Sequence, residues 1–210
     1  MMTTPQPSPA TVFVVDDDEA VRDSLALLLR SVELAVATFS SANEFLDSYD
    51  PAAPGCLILD VRLPGMSGLE LQQRLADDGA DLPIVFITGH GDVPMAVRAM
   101  RRGAVDFLQK PFSDQELLDR VQQALAEQSQ RRQQSESKAE IAQRIRSLTP
   151  REHEVMELIV EGLANKVIAN RLGTSQRTVE VHRASVMRKM QADSVARLVH
   201  LVFAADSQGS

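Results

Sequence analysis

Four groups of side chains in the first half of the sequence could together carry out one kind of chemistry. Asp16, Asp17 and Asp18 follow the apolar run Phe13-Val14-Val15, and Asp60 closes Leu57-Ile58-Leu59. Thr88 closes Ile84-Val85-Phe86-Ile87, and Lys110 follows Phe107-Leu108-Gln109. A carboxylate nucleophile, further carboxylates, a hydroxyl donor and an ammonium are the parts phosphoryl transfer needs, because its catalysis is mostly positioning and neutralisation of charge. Carboxylates gathered in one place repel one another unless protonated or neutralised. A hard divalent cation with oxygen ligands relieves that repulsion, and Mg²⁺ is the expected ion. Asp18, next to Glu19, reads more simply as a turn or cap residue. No glycine-rich Walker loop is present.

These residues must be delivered by the ends of strands. Short apolar runs at Val12–Val15, Leu34–Phe39, Leu57–Leu59, Ile84–Ile87 and Ala104–Leu108 alternate with amphipathic segments near 19–31, 41–49, 67–77, 93–102 and 114–128. Spacings such as Val21, Leu25, Leu28 and Leu29, or Leu117, Leu118, Val121 and Leu125, are helical. Five strand–helix alternations predict an α/β domain: a doubly wound parallel sheet in the flavodoxin-like order, (βα)5, covered by helices on both faces. Such sheets bind ligands at the carboxyl ends of the strands where the order reverses, between strands one and three. Those are the strands that end at Asp16 and Asp60.

Length and composition agree with two modest domains. The chain has 210 residues, 44% hydrophobic and 24% charged, and contains no apolar run long enough to span a bilayer. Residues 1–10 carry neither the basic start nor the apolar core of an export signal, so a disordered N-terminus and a cytoplasmic location are expected. Cys56, the only cysteine, reads as a small buried hydrophobe. The net charge of −7 conceals an asymmetry: residues 1–130 carry 9 Lys/Arg against 20 Asp/Glu, and residues 131–210 carry 13 against 9. An acidic half suits a cation, and a mildly basic half suits phosphates.

From Ala126 to Ser147 the sequence turns to Gln, Arg, Glu and Ser without Pro or Gly, which predicts a helical linker over 129–147. Beyond it only helical patterns remain. Thr149-Pro150-Arg151-Glu152 has the cap, first-turn proline and reciprocal glutamate that open a helix. A short helix over 165–172, a third capped by Thr174-Ser175 and reaching Met190, and a fourth from Asp193 or Ser194 complete an all-α four-helix unit over 148–204, with a tail at 205–210.

Residues 11–128 resemble a receiver domain through Val15-Asp16-Asp17, Asp60, Thr88 and Lys110-Pro111. The resemblance implies that Asp60 is the phosphoacceptor. It also implies that Asp16, Asp17, Asp60 and the backbone carbonyl of Arg62 hold Mg²⁺, and that Lys110 pairs with a phosphoryl oxygen. A cis peptide is implied at Lys110-Pro111. Thr88 and Phe107 become switch residues that bias a two-state surface over 93–108, through which phosphorylation would promote a homodimer. Leu63-Pro64-Gly65-Met66-Ser67-Gly68 and Thr88-Gly89-His90-Gly91-Asp92 narrow the match to the FixJ-like subgroup, with His90 a rim residue that tunes phosphate lifetime.

Residues 148–204 resemble a LuxR/NarL/FixJ-type helix-turn-helix, through Leu148-Thr149-Pro150-Arg151-Glu152, Gly162, Asn165-Lys166, Ile168-Ala169 and Thr178-Val179-Glu180-Val181-His182. On a helical wheel Val179, His182, Val186 and Met190 share one stripe, with Arg177, Glu180, Val181, Ala184 and Arg188 broadly opposite. Base contacts are expected from Glu180, Val181 and Ala184, and phosphate contacts from Lys166, Arg177, Thr178, Arg183, Arg188 and Lys189. Arg177 and Arg183 fit either class. The last helix could close the core, dimerise, or do both.

Together these resemblances imply a two-component response regulator and transcription factor. Its partners would be a sensor histidine kinase, promoter DNA and RNA polymerase, with transcription activation as the output and no membrane contact. A metal-dependent aspartyl phosphotransferase or phosphatase fits the first half, but a haloacid-type phosphatase wants a second Asp where Arg62 stands. A phospho-switched module that binds protein or RNA is the third reading.

Overall fold

The computed structural model describes residues 10–89 and 93–206, and it divides into compact units at 1–131 and 132–210. In the first unit β1 (Thr11–Val15), β2 (Ala35–Phe39), β3 (Gly55–Asp60), β4 (Ile84–Thr88) and β5 (Asp106–Gln109) form one parallel sheet in the order β2-β1-β3-β4-β5. This is the expected flavodoxin-like arrangement. The connecting helices are α1 (Glu19–Ser31), α2 (Ala42–Ser48), α3 (Gly68–Asp77) and α4 (Val93–Arg101), and β5 leads into α5 (Asp114–Arg146).

Strand alternation sorts the core onto two faces. Phe13, Val15, Leu57, Leu59 and Phe86 pack with Phe45 of α2, Leu71 and Leu75 of α3 and Ala99 of α4. Val12, Val14, Ile58, Val85 and Ile87 pack with Leu25 and Leu29 of α1 and Leu117 and Val121 of α5. Every residue of β3 is buried, as a central parallel strand requires. Cys56 lies in this core, and its burial pushes the thiol up to about 12, so it is an inert hydrophobe.

Helix starts follow their caps. Asp18 caps α1 by accepting from the Ala20 N–H at 2.9 Å, the turn role read from the sequence. Ser67 and Glu70 form a reciprocal capping box at the start of α3. The helical segment expected over 114–128 and all but the last residue of the linker expected over 129–147 fall within the one helix α5.

In the second unit α6 (Pro150–Val160), α7 (Asn165–Arg171), α8 (Gln176–Lys189) and α9 (Val195–Asp206) surround a core of Val155, Ile159, Ile168, Val179, Val186, Met190, Leu198 and Leu201. Ile141 is buried in this core, with Ile145 and Leu148 packed against it, so residues read as linker help to close the helical unit. The helix α9 runs past 204 to Asp206, beyond the expected start of the tail. Among the described residues no helix is long and apolar enough to cross a membrane.

Candidate functional site

Asp16, Asp60, Thr88 and Lys110 meet at the carboxyl ends of the strands. The β1–β3 register pairs Val15 with Leu59, which places Asp16 and Asp60 one step beyond on adjacent strands. Lys110 follows β5, and its N–H donates to the Thr88 carbonyl at 2.8 Å, holding the loop against the end of β4. Its Nζ donates to Asp16 Oδ2 at 2.7 Å and to Asp60 Oδ1 at 3.4 Å. Asp16, Asp60 and Thr88 are all buried. The Lys110–Pro111 peptide is cis.

Each carboxylate is also held by its own turn. The Asp18 N–H donates to Asp16 Oδ1 at 3.0 Å, and the Arg62 N–H donates to Asp60 Oδ2 at 2.9 Å. Asp60 Oδ1 thus faces the ammonium while Oδ2 is turned to the loop. Burial pushes the Asp60 carboxyl above its usual range, aided by the Asp16 charge and opposed by Lys110 and the Arg62 amide. For Lys110, burial is the largest single influence and pulls downward. The hydrogen bonds and charges of Asp16 and Asp60 together outweigh it and hold the ammonium above its ordinary value.

Asp17 is exposed beside Asp16, and Arg62 is exposed. Among the described residues no three carboxylate, imidazole or thiolate groups are gathered as a ligand cluster. The donor set nevertheless suits Mg²⁺. Two buried carboxylates face one ammonium, which leaves an uncompensated negative charge, and Mg²⁺ characteristically takes one or two carboxylates and keeps several waters. Phe107 is half-buried on β5, its ring centroid 6.3 Å from that of Phe86 on β4. His90, with Gly91 and Asp92, lies outside the described residues.

Two contributors to this site were missed at the sequence level. Arg22 of α1 donates from Nη1 to the Asp16 carbonyl at 2.8 Å, pinning the acidic turn. Gly68, at the start of α3, lies so close to β3 that a Cβ there would sit 2.3 Å from the Asp60 carbonyl oxygen. Arg22 gave no signal, being one more charge on a helix. Gly68 ends the motif Leu63-Pro64-Gly65-Met66-Ser67-Gly68, but its spatial role needed the fold.

In the second unit α8 exposes Arg177, Thr178, Glu180, Val181, Ala184 and Arg188, while Val179, Val186 and Met190 are buried and His182 is half-buried. The wheel reading of the two stripes therefore matches the observed burial. Lys166 is exposed on α7. Arg183 is half-buried and donates to Asn165 Oδ1 at 3.1 Å, which braces α8 against α7.

Lys189, expected at phosphates, is engaged within the domain: its Nζ donates to Glu152 Oε2 at 2.6 Å and to the Ser147 carbonyl at 3.1 Å. The same carboxylate accepts from Ser185 Oγ at 2.6 Å and from the Thr149 N–H at 2.7 Å. These bonds, Lys189 first and Ser185 next, hold Glu152 down to about 2. The sequence identified Glu152 as a capping partner and gave no hint of its link to α8.

Comparison with known proteins agrees with both halves. Residues 12–122 match the response regulator receiver domain, and residues 146–202 match the luxR family of bacterial regulatory proteins. The chain is 49% identical over 199 residues to the transcriptional regulatory protein FixJ of Azorhizobium caulinodans, covering 95% of this chain and 94% of that one. It is 51% identical over 192 residues to nodulation protein W of Bradyrhizobium diazoefficiens, covering 91% and 85%. Among solved structures, the response regulator StyR superposes with a TM-score of 0.88 at 50% identity, covering 93% of this chain and 99% of that one. Full-length FixJ from B. japonicum gives a TM-score of 0.59 at 44% identity, covering 95% and 98%. The chain therefore belongs to the FixJ-like response regulators, transcriptional regulators that join a receiver to a LuxR-type DNA-binding domain and are not conventional enzymes.

Proposed function

We propose that Asp60 is the phosphoacceptor of this regulator, and that its phosphorylation by a sensor histidine kinase promotes binding of promoter DNA. The observation that carries the reading is the buried Asp16–Lys110–Asp60 arrangement, with one Asp60 oxygen facing the ammonium. The Asp60 carboxylate attacks phosphorus, the bond from phosphorus to the donor nitrogen breaks with its electron pair leaving on the imidazole, and an acyl phosphate forms. Lys110 exchanges part of its pairing with Asp16 and Asp60 for a phosphoryl oxygen. The Thr88 hydroxyl donates to another. Asp16, Asp17, Asp60 and the Arg62 carbonyl would hold Mg²⁺, which when bound neutralises charge on the phosphoryl oxygens.

Thr88 and Phe107 act as the switch. The exposed Val93, Val97 and Met100 of α4 offer an apolar patch for a phosphorylation-promoted homodimer through 93–108, and the exposed Phe203 offers a second through α9. The functional divisions are the receiver at 11–128, the linker at 129–147 and the DNA-binding domain at 148–204. On DNA, α8 enters the major groove with Glu180, Val181 and Ala184 toward base edges, and Lys166, Arg177, Thr178, Arg183 and Arg188 toward phosphates. Recruitment of RNA polymerase makes the regulator an activator, working in the cytoplasm where its promoters are.

The direct test is Mg²⁺-dependent labelling by acetyl phosphate of the whole chain and of Asp60→Asn. One base-labile phosphoryl group on the parent and none on the variant is expected. Equal labelling of both overturns the assignment.

A further inference from the structure

We propose that Gln72 is a positioning residue that clamps the carboxyl-terminal end of α4, so that a phosphoryl group on Asp60 swings α4 about that end. The proposal rests on the phosphoacceptor reading and concerns how its signal leaves the site. Gln72 lies mid-way along α3 and is only 3% exposed, beside the core residues Leu71 and Leu75. Burying a glutamine amide is unfavourable unless its groups are bonded. Among the described residues its amide donates to the end of α4 and the turn after it: Nε2 to the Ala99 carbonyl at 3.0 Å and to the Arg102 carbonyl at 3.4 Å. The Ala99 carbonyl also accepts from the Arg102 and Ala104 N–H groups at 3.2 and 3.1 Å, so the Gln72 amide adds a bond from another element to the turn that closes α4.

The clamp is reciprocal. Arg102 returns a bond from Nη1 to the Leu69 carbonyl of α3 at 3.4 Å. The Gln72 Oε1 is buried with no partner among the described residues, so the side chain is held through its donors alone. Leucine would fill the same space without that desolvation cost, and the position is accounted for by what Nε2 does.

The two ends of α4 differ in burial. Ala99, at the clamped end, is fully buried, and it is the one buried residue of the helix. At the other end Val93, Pro94, Val97 and Arg98 are exposed, with Met95 and Ala96 half-buried. That more exposed end, where Met95 alone is packed against the core cluster, is the one nearer in sequence to Thr88. The frame to which the clamp is fixed is rigid with respect to Asp60, because the start of α3 lies against β3: the Gly68 N–H donates to the Val61 carbonyl at 3.0 Å, and Gly68 abuts the Asp60 backbone. A pull on Thr88 therefore moves the near end of α4 against a fulcrum tied to the phosphoacceptor strand.

The test is amide-resolved hydrogen exchange on the full chain, with and without acetyl phosphate and Mg²⁺, for the parent and for Gln72→Leu. In the parent, labelled at a protein concentration where sedimentation shows the treated chain to be monomeric, phosphorylation is expected to change exchange over 93–98 and leave 99–104 unchanged. Gln72→Leu is expected to label at the parental rate, to show the change spread through 104, and to lose at least about fivefold of the phosphorylation-dependent gain in DNA affinity. The thermal midpoint reports whether the variant folds, and if it does not, the parental pattern decides alone. A parental change as large over 99–104 as over 93–98 overturns the clamp, as does a variant that keeps the parental gain. A parent that takes no label overturns the phosphoacceptor assignment, and the clamp with it.

Discussion

Replacing Glu152 by glutamine tests whether α8 is held in place by a buried charge network. The side chain is 8% exposed, and its Lys189 partner 29%. With its carboxyl held down to about 2 from an ordinary 4.5, Glu152 contributes stability that is fully present above pH ~4.5 and is lost as pH falls toward ~2. At about 1.4 kcal/mol for each tenfold change in proton affinity, discounted for solvent screening at the partly exposed Lys189, the linked contribution is about 1–2 kcal/mol at neutral pH. The Glu152→Gln variant would keep a hydrogen-bonding oxygen but leave Lys189 without its counter-charge, so a loss of about 1–2 kcal/mol at pH 7 is expected.

The chain has no tryptophan, and its one tyrosine, Tyr49, lies in the first unit, so intrinsic fluorescence does not report the helical unit. Hydrogen exchange of the slowest amides in α6 and α8, in the parent and in Glu152→Gln at pH 7 and pH 3, supplies the local free energy. The gap between the two proteins should narrow sharply at the lower pH. A gap at pH 7 within about 0.5 kcal/mol, the range of an ordinary surface substitution, would refute the network argument.

Other outcomes follow from the same geometry. Gly68→Ala forces a methyl against the Asp60 carbonyl and should cost about 1–3 kcal/mol in urea unfolding, with slowed acetyl-phosphate labelling. Labelling at the parental rate would show that the backbone of Asp60 tolerates the shift. Arg177→Ala and Lys166→Ala should each lower the salt slope of duplex DNA binding by about one. Lys189→Ala should instead leave that slope unchanged and reduce stability, and a lowered slope would restore it to the phosphate contacts. Gln128→Leu leaves the Gly55 N–H and the Asp81 carbonyl without their side-chain partner and should cost about 1–3 kcal/mol, read from thermal unfolding followed at Tyr49.

What was legible in the sequence is what periodicity and strand ends encode. The strand runs ended at Asp16, Asp60 and Thr88 and just before Lys110, and parallel order then brought those residues together. The α8 stripes were legible because 3.6-residue spacing separates Val179, Val186 and Met190 from Arg177, Val181 and Ala184. Polar residues that serve the core were not. Gln128 stood at the head of a Gln- and Arg-rich run and read as the edge of the linker, yet it is buried, accepting from Gly55 and donating to Asp81. Its place after Leu117, Val121 and Ala124 on one helical face was the available signal. Gln72 and the Glu152–Ser185–Lys189 ties join residues distant in sequence, and such contacts become visible only once the elements are packed.

The central claim is that a phosphoryl group on Asp60 controls DNA binding by the second unit. It is tested most directly by fluorescence anisotropy on one promoter duplex at fixed salt, with the full chain and its Asp60→Asn variant each measured before and after acetyl phosphate and Mg²⁺. The parent should gain at least about fivefold in affinity on treatment, and the variant should gain nothing while keeping the parent's untreated affinity. An equal gain in both proteins would contradict the account.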